Sequence, residues 1–269
     1  MSQDENWEFI RNNAKSEDFF DRLAALARSV LFFELALIAI GTPHRKREGI
    51  ARIFNKSDFK KTLDIESINN ILDIIELRNK AVHEGKVPSP KNCFKAVEKL
   101  FLIFTRMKSQ FVTRKTAAEL SMKILCADTF HKAFLFGSLT TDKEDPGDID
   151  ILLFDNGKLS SISSGYGDYR NYICRRIFET AKIDEDRYLA ALDLDWIDVV
   201  VVDHEYFVND SEYIRNIASH QNPNFLLNIS SEIMELDKKT GQWFTSRRLP
   251  FKKWGGIREK LVKEGLIFE

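Results

Sequence analysis

The hydrophobic pattern of the chain changes near residue 112, and this change limits what each half can fold into. Before it, apolar residues recur at alternating spacings of three and four, as in the stripe from Phe19 to Ile40. That spacing places them on one face of an amphipathic helix. Similar stripes at 65–84 and 94–111 and a shorter one at 48–60 indicate three more helices. Residues 1–112 are therefore expected to form an antiparallel four-helix bundle.

The second half alternates strand and helix patterns. After a connecting helix expected at 116–130, short apolar runs lie at 133–136, 149–154 and 196–202, with a helical pattern at 168–182. Strands interleaved with helices predict an α+β chain in which residues 113–269 form a domain with a mixed sheet. From His204 onward we expect a helical tail.

Charge and cysteine content exclude some classes of protein. The 40 basic and 41 acidic residues give a net charge of −1, which argues against a globally basic nucleic-acid binder but allows local basic patches. The three cysteines are scattered and form no C-x-x-C pair, which suits a reducing cytoplasm and makes a cysteine zinc site unexpected. The longest apolar stretch, 30–40, is too short to span a bilayer, so we expect no membrane partner.

The strongest chemical signal is a pair of acids that follows a Gly-Ser turn. The run Phe134-Leu135-Phe136 leads into Gly137-Ser138, and Asp148-Ile149-Asp150 begins the next apolar run. Residues i and i+2 of a strand project from the same face, so both carboxylates are expected to leave together. Paired carboxylates suit Mg²⁺ ions that bind a nucleoside triphosphate. Gly137 would allow a phosphate to approach the backbone, and the Ser138 hydroxyl can donate to it.

A third acid is available on the next predicted strand. Asp198 directly precedes a run of four valines and could complete a three-carboxylate site. Asp195 competes for this role, and Asp198 is preferred because it enters the apolar run directly.

This arrangement resembles the nucleotidyltransferases of the DNA polymerase beta superfamily, especially the minimal nucleotidyltransferases, over about residues 115–235. The resemblance implies that Asp148, Asp150 and Asp198 bind one or two Mg²⁺ ions and are catalytic, and that Gly137 and Ser138 bind the nucleotide. It further implies transfer of a nucleoside monophosphate from an NTP to a hydroxyl on RNA, a protein or a small molecule, with pyrophosphate leaving. An acidic turn before a core strand and an inactive domain of the same fold are the alternatives.

The helical half contains a second motif, Arg78-Asn79 followed by His83. It resembles the Arg-x4–6-His motif of HEPN domains, over about residues 16–111. The resemblance implies a metal-independent ribonuclease in which Arg78 stabilises the phosphate, His83 transfers protons and two copies pair through the helical domain. Residues five apart on a helix differ by about 140°, so the two side chains converge only if the helix ends near His83. A helix-end structural role and a non-catalytic HEPN module are the alternatives.

The two resemblances together imply a prokaryotic toxin–antitoxin or antiviral defence protein. Other functions remain open: a ribonuclease regulated by its nucleotidyltransferase half, or a non-catalytic nucleotide-binding or partner-docking module. The segment Trp243–Trp254 has four basic residues, four aromatic residues and no acid. This mixture suits nucleic-acid binding and a packed terminal segment equally well.

Overall fold

The computed structural model describes residues 3–141, 144, 146–155, 170–203, 233–246 and 263. The chain divides into two compact units, one of Met1–Phe111 with Glu185–Asp195 and one of Val112–Asp184 with Trp196–Glu269. The first unit is helical and the second contains a five-stranded mixed sheet, so the expected α+β class is confirmed. The sequence places a domain boundary at 112/113 but gives no sign that 185–195 belongs with the first unit.

The helical unit is built from six α-helices among its described residues. These are α1 (Gln3–Ala14), α2 (Phe19–Ala39), α3 (Ile50–Lys56), α4 (Ile65–Glu84), α5 (Pro90–Phe111) and α8 (Asp186–Asp193), with a 3₁₀ turn at Phe59–Thr62. The helices predicted for α2, α4 and α5 are confirmed, whereas α1 and α8 were not predicted. The predicted helix at 48–60 is α3 followed by the 3₁₀ turn.

Helix α2 illustrates how local signals set the ends of these helices. The Asp18 side chain accepts hydrogen bonds from the backbone N–H groups of Phe20 and Asp21, which satisfies two donors that would otherwise lack partners. The helix ends before Gly41, whose φ of 91° is unfavourable for residues with a side chain. Its apolar stripe is buried, with Leu26 and Phe33 fully enclosed.

Aromatic side chains form the centre of this core. Trp7 of α1 packs edge-on against Phe32 and Phe101, with ring centroids 5.7 and 5.2 Å apart, and it also contacts Phe104. Helix α8 packs on α2, and its buried Tyr188 lies edge-on to Phe111. Most phenylalanines in the described part of the chain are thus buried in the core.

The second unit contains two described helices and a sheet with strand order β3-β2-β1-β4-β5. The strands are β1 (Phe130–Phe136), β2 (Ile149–Asp155), β3 (Ile197–Asp203), β4 (Ile233–Asp237) and β5 (Gln242–Ser246), and the helices are α6 (Arg114–Leu125) and α7 (Arg170–Thr180). β2 and β3 are parallel, and the other pairs are antiparallel. The first three strands confirm the predicted runs.

The expected helical tail is wrong for residues 233–246, which form the β4–β5 hairpin. Its strands alternate only weakly in hydrophobicity, and β4 is stabilised by pairing with β1, where Phe134 faces Glu235. Gly241, with φ 68°, supplies the left-handed residue of the turn. In the described part of the chain, no helix is long and apolar enough to cross a membrane.

Candidate functional site

The predicted acids lie at one end of the two parallel strands. Asp148 immediately precedes β2, Asp150 is the second residue of β2, and Asp198 is the second residue of β3. All three are partly exposed, whereas Ile149 and Ile151 beside Asp150 are completely buried. The apolar neighbours therefore fix the strand, and the acids occupy the end of it that solvent reaches.

The register of the parallel pair brings two of these acids together. Asp150 of β2 faces Asp198 of β3, and the Ile149 N–H donates to the Trp196 carbonyl oxygen over 3.0 Å where the ladder begins. Neighbouring strands lie roughly 4.8 Å apart, and facing residues project from the same side of the sheet. The backbone thus presents two carboxylates side by side, a separation that one or two divalent cations can bridge.

The register also distinguishes the two candidates for the third acid. Asp195 lies before β3 in the left-handed region, with φ 54°, a conformation that Asp tolerates better than most residues. Asp198 is on the strand and faces Asp150. The structure therefore places Asp198, and not Asp195, in register with the predicted pair.

Gly137 has a steric reason to be glycine. It begins the 3₁₀ turn Gly137–Thr140 with φ 71°. A Cβ at this position would overlap the Asp150 carboxylate, because it would lie 3.0 Å from Asp150 Cγ and closer still to Oδ2. The sequence predicted a close approach of a phosphate here, and the structure shows a close approach of the Asp150 side chain.

Ser138 connects the turn to the loop that precedes the acids. Its Oγ accepts a hydrogen bond of 3.1 Å from the Gly147 N–H, one residue before Asp148. A serine hydroxyl can accept and donate at the same time, so this bond leaves its proton available to a phosphate oxygen. The turn therefore lies against Asp150 at Gly137, and the Ser138–Gly147 hydrogen bond ties it to the loop that precedes Asp148.

The donor set suits a hard cation. Carboxylate oxygens are the ligands that Mg²⁺ prefers in proteins, and Asp148, Asp150 and Asp198 would be the residues to hold it. Among the described residues, no three or more His, Cys, Asp or Glu side chains surround a common metal position. The backbone brings the three acids to one end of the parallel strands, and their side chains would turn to share an ion.

Arg114 is a residue that the sequence analysis missed. Its Nε donates to the Leu139 carbonyl oxygen over 2.7 Å, and Nη2 donates to the Thr141 carbonyl oxygen over 3.3 Å. The first residue of α6 thus holds the turn that contains Ser138. Since both acceptors are backbone atoms, no side-chain pattern could reveal this contact.

In the helical unit, Arg78 and His83 lie in different surroundings. α4 ends at Glu84 with Gly85 as a left-handed cap, so both residues are within the helix. Arg78 lines a cavity of about 520 Å³ with Glu34, whereas His83 is exposed and is not among the described residues that line it. A single copy of α4 therefore does not direct both side chains into this cavity.

The cavity is polar and rich in guanidinium groups. Arg47, Arg52 and Arg78 line it, and the buried Nε of Arg78 has no hydrogen-bond partner within the described ranges. Glu34 is half-buried, and desolvation by burial raises its pKa, although the positive charges of Arg78 and His44 act in the opposite direction.

Part of the basic aromatic segment Trp243–Trp254 lies in β5, and its residues 247–254 are outside those the structure describes.

Comparison of the chain with protein-family models, with curated proteins and with solved structures finds no match.

Proposed function

We propose that this protein is a Mg²⁺-dependent nucleotidyltransferase that moves a nucleoside monophosphate from an NTP to a hydroxyl group of an acceptor. The observation that supports this most directly is the register of Asp150 with Asp198 beside Gly137. Two partly exposed carboxylates side by side repel each other, and a cation between them offsets this repulsion. A purely structural strand has no need of such a pair.

Each residue of the site has a role in this reaction. Asp148, Asp150 and Asp198 would hold Mg²⁺, which on binding polarises phosphoryl oxygens and favours the ionised form of the attacking hydroxyl. The Ser138 hydroxyl donates to a phosphate oxygen of the triphosphate. Gly137 leaves room for the Asp150 carboxylate, and Arg114 holds the turn. The fold proposed for this unit is that of the polymerase beta superfamily.

The test is incubation of the purified chain with each α-³²P-labelled NTP, Mg²⁺ and either total RNA or a cell lysate. We expect label in an acceptor with Mg²⁺ and none with EDTA. Asp150→Asn and Asp198→Asn keep side-chain volume and remove the charge, so each should lower transfer by about 100-fold or more. Asp195→Asn is the matched control and should transfer normally, because Asn also tolerates the left-handed conformation.

Two outcomes would contradict the proposal. One is equal transfer by the Asp150→Asn/Asp198→Asn double variant and the native chain. The other is loss of transfer in Asp195→Asn with full activity in Asp198→Asn. This result would show that Asp195, and not Asp198, is the third acid.

A second candidate function, that of a HEPN-type ribonuclease, is favoured by the position of Arg78 at a polar cavity. Its partly buried guanidinium, with an unsatisfied Nε, suits an anionic phosphate. Because His83 lies outside that cavity, we propose that such a site would use His83 of a second copy, and that the chain forms homo-oligomers through its helical unit. The biological setting that we propose for both activities is prokaryotic toxin–antitoxin or antiviral defence, with the protein in the cytoplasm.

A further inference from the structure

The cavity of about 520 Å³ in the helical unit is lined by three arginines from three parts of the fold. Arg47 lies in the loop before α3, Arg52 lies in α3 and Arg78 lies in α4. Within the described part of the chain, none of the three forms an ion pair, and neither Arg47 nor Arg52 donates a side-chain hydrogen bond. Like charges around one cavity repel each other, and an anion among them offsets this repulsion. The volume is in the range of small-ligand sites.

Arg78 gives the most direct indication of a ligand. Its Nη1 donates to the Asn79 Oδ1 over 3.1 Å, whereas its Nε is buried and has no hydrogen-bond partner among the described residues. A buried donor without an acceptor is unfavourable. An anionic oxygen in the cavity would accept from this Nε, and hydrogen bonds between two charged groups are the strong ones.

The two acids that line the cavity do not cancel its positive charge. Glu48 forms an ion pair with Lys56 and accepts a hydrogen bond of 3.0 Å from the Arg45 N–H, so its charge is already offset. Glu34 forms no ion pair in the part of the chain that is described. The three guanidinium groups therefore face one unpaired carboxylate, and the cavity retains a net positive charge.

Arg47 has a backbone conformation that is unfavourable for arginine. Its φ of 68° lies in the left-handed region, where a Cβ approaches the backbone closely. The side chain is exposed and makes no hydrogen bond or ion pair within the described ranges that would compensate for this conformation. Strained residues of this kind cluster at ligand sites, and this one lies at the edge of the arginine-lined cavity.

We propose that this cavity binds a diphosphate group without a metal ion. A diphosphate offers terminal oxygens on both phosphorus atoms and more than one negative charge, so three guanidinium groups can each contact it at two points. A phosphodiester group of RNA has only two free oxygens and a single charge, which are too few for three such contacts. Leu31, Ile50 and Ile75 form an aliphatic part of the lining, which suits an uncharged group attached to the diphosphate.

This site is independent of the acidic pair. It lies in the helical unit, uses guanidinium groups in place of Mg²⁺, and does not rest on the proposed nucleotidyl transfer. It also differs from the ribonuclease candidate, in which RNA would occupy the cavity at Arg78, because the two occupants exclude each other. The diphosphate group has two sources, free pyrophosphate and a nucleoside diphosphate, and the experiment distinguishes them.

The experiment is isothermal titration calorimetry of the full chain with sodium pyrophosphate and with ADP, in EDTA and in a buffer without phosphate. Both ligands carry the diphosphate group, and both should bind at one site per chain. Tighter binding of ADP would identify a nucleoside diphosphate as the source, and equal or tighter binding of pyrophosphate would identify the free anion. Inorganic phosphate should bind much more weakly than either. EDTA removes Mg²⁺, so the site at Asp150 and Asp198 does not contribute.

Variants of the lining residues should change the affinity in opposite directions. Arg78→Gln should weaken pyrophosphate binding by about 10- to 150-fold, the loss expected for a charged hydrogen-bonding partner. Arg52→Gln should weaken it by about 2- to 5-fold, because Arg52 is exposed and exposed ion pairs contribute less. Glu34→Gln removes a like charge and should tighten binding. Arg45→Gln is the matched control and should bind like the native chain, since Arg45 is exposed and is not among the described residues that line the cavity.

Arg47→Gly separates a ligand-binding role from a structural one. Glycine adopts a φ of 68° without a steric cost, so the urea midpoint of this variant should equal or exceed that of the native chain. Its pyrophosphate binding should nevertheless weaken by about 2- to 5-fold. An arginine with a purely structural role would instead lower the midpoint when replaced and leave binding unaltered.

The absence of saturable binding of both pyrophosphate and ADP in EDTA would overturn the inference, as would native-like binding by Arg78→Gln together with Arg52→Gln. Equal affinity for inorganic phosphate would refute the diphosphate assignment. Tighter binding of a 12-nucleotide single-stranded RNA than of pyrophosphate, with the same dependence on Arg78, would show that RNA is the occupant. If Arg78→Gln does not fold, Arg47→Gly and Arg52→Gln, at exposed positions, still decide the question.

Discussion

Replacement of Gly137 by alanine tests the geometry of the acidic pair most directly. Two separate costs are expected from the structure. A residue with a Cβ at φ 71° loses about 1–2 kcal/mol in the left-handed region. The added Cβ would also overlap the Asp150 carboxylate, the end of a partly exposed side chain, which must leave its rotamer at a cost of about 0.5–1.5 kcal/mol. The free energy of unfolding should therefore fall by about 1.5–3.5 kcal/mol.

Two control variants separate these costs. Gly85 has φ 67° and no atom within 4 Å of a Cβ built on it, so Gly85→Ala should show the backbone cost alone. In an Asp150→Ala background the carboxyl group is absent, and the nearest remaining atom, the Cβ of residue 150, lies at an ordinary contact distance of 3.4 Å. Gly137→Ala in that background should cost only about as much as Gly85→Ala.

The assay is urea denaturation of Gly137→Ala, Gly85→Ala, Asp150→Ala and the Gly137→Ala/Asp150→Ala double variant. The coupling energy is the difference between the free-energy cost of Gly137→Ala in the native chain and its cost in the Asp150→Ala background. A coupling of about 0.5–1.5 kcal/mol is expected. Transfer activity of Gly137→Ala should fall by about 100-fold, since a displacement of about 1 Å at a reacting group has that effect. Gly147→Ala adds a methyl group in open space with no positive φ, and it should remain active. A coupling energy near zero would show that Asp150 does not lie against Gly137 and would refute the reasoning.

Three further predictions concern the helical unit and the cysteines. Burial raises the folded-state pKa of Glu34 above its ordinary value of 4.5. The contribution of Glu34 to stability is therefore greatest below pH 4.5 and is lost as pH rises through the folded-state pKa. Glu34→Gln should remove this pH dependence and match or exceed the native chain in urea denaturation at pH 7; a less stable variant would mean that attraction to Arg78 dominates. Burial raises the pKa of the Cys93 thiol to about 11, so at pH 8 a thiol reagent should modify exposed Cys126 first and Cys93 only on unfolding, whereas equal rates would contradict its burial. If the ribonuclease candidate holds, RNA cleavage should proceed in EDTA to 2′,3′-cyclic phosphate ends and fall by about 10²–10⁴-fold in His83→Ala; uncut RNA with the native chain excludes it.

The elements that the sequence predicts correctly are those whose signals are local. α2 and α4 have apolar residues at spacings of three and four, with Asp18 and Asp64 as N-caps. α1 was not predicted because its buried stripe is short, with only Trp7, Ile10 and Ala14 at spacings of three and four after an acidic start. The position of β4 depends on pairing with β1 about 100 residues earlier, and such long-range partners leave no local pattern.

The candidate site shows the same division between local and long-range information. The Gly-Ser turn and the Asp-x-Asp spacing could be read from the sequence, and so could their expected chemistry. The sequence could prefer Asp198 over Asp195 only weakly, because the difference depends on the register of β3 against β2. The hydrogen bonds of Arg114 go to backbone carbonyls, which every residue possesses, so they required the structure.

The acidic pair links the proposed activity to the stability of the fold. Two carboxylates about 5 Å apart, at an effective dielectric constant of about 20, repel each other by about 3 kcal/mol. The fully buried neighbours Ile149 and Ile151 hold Asp150 in place, so the strand cannot shift to separate the charges without exposing core residues. Hydrogen-bonding or cationic groups must offset this repulsion, and a bound divalent ion would do so most completely. Binding of nucleotide with Mg²⁺ should therefore stabilise the sheet unit against unfolding, because the ion offsets the repulsion between Asp150 and Asp198 in the folded state.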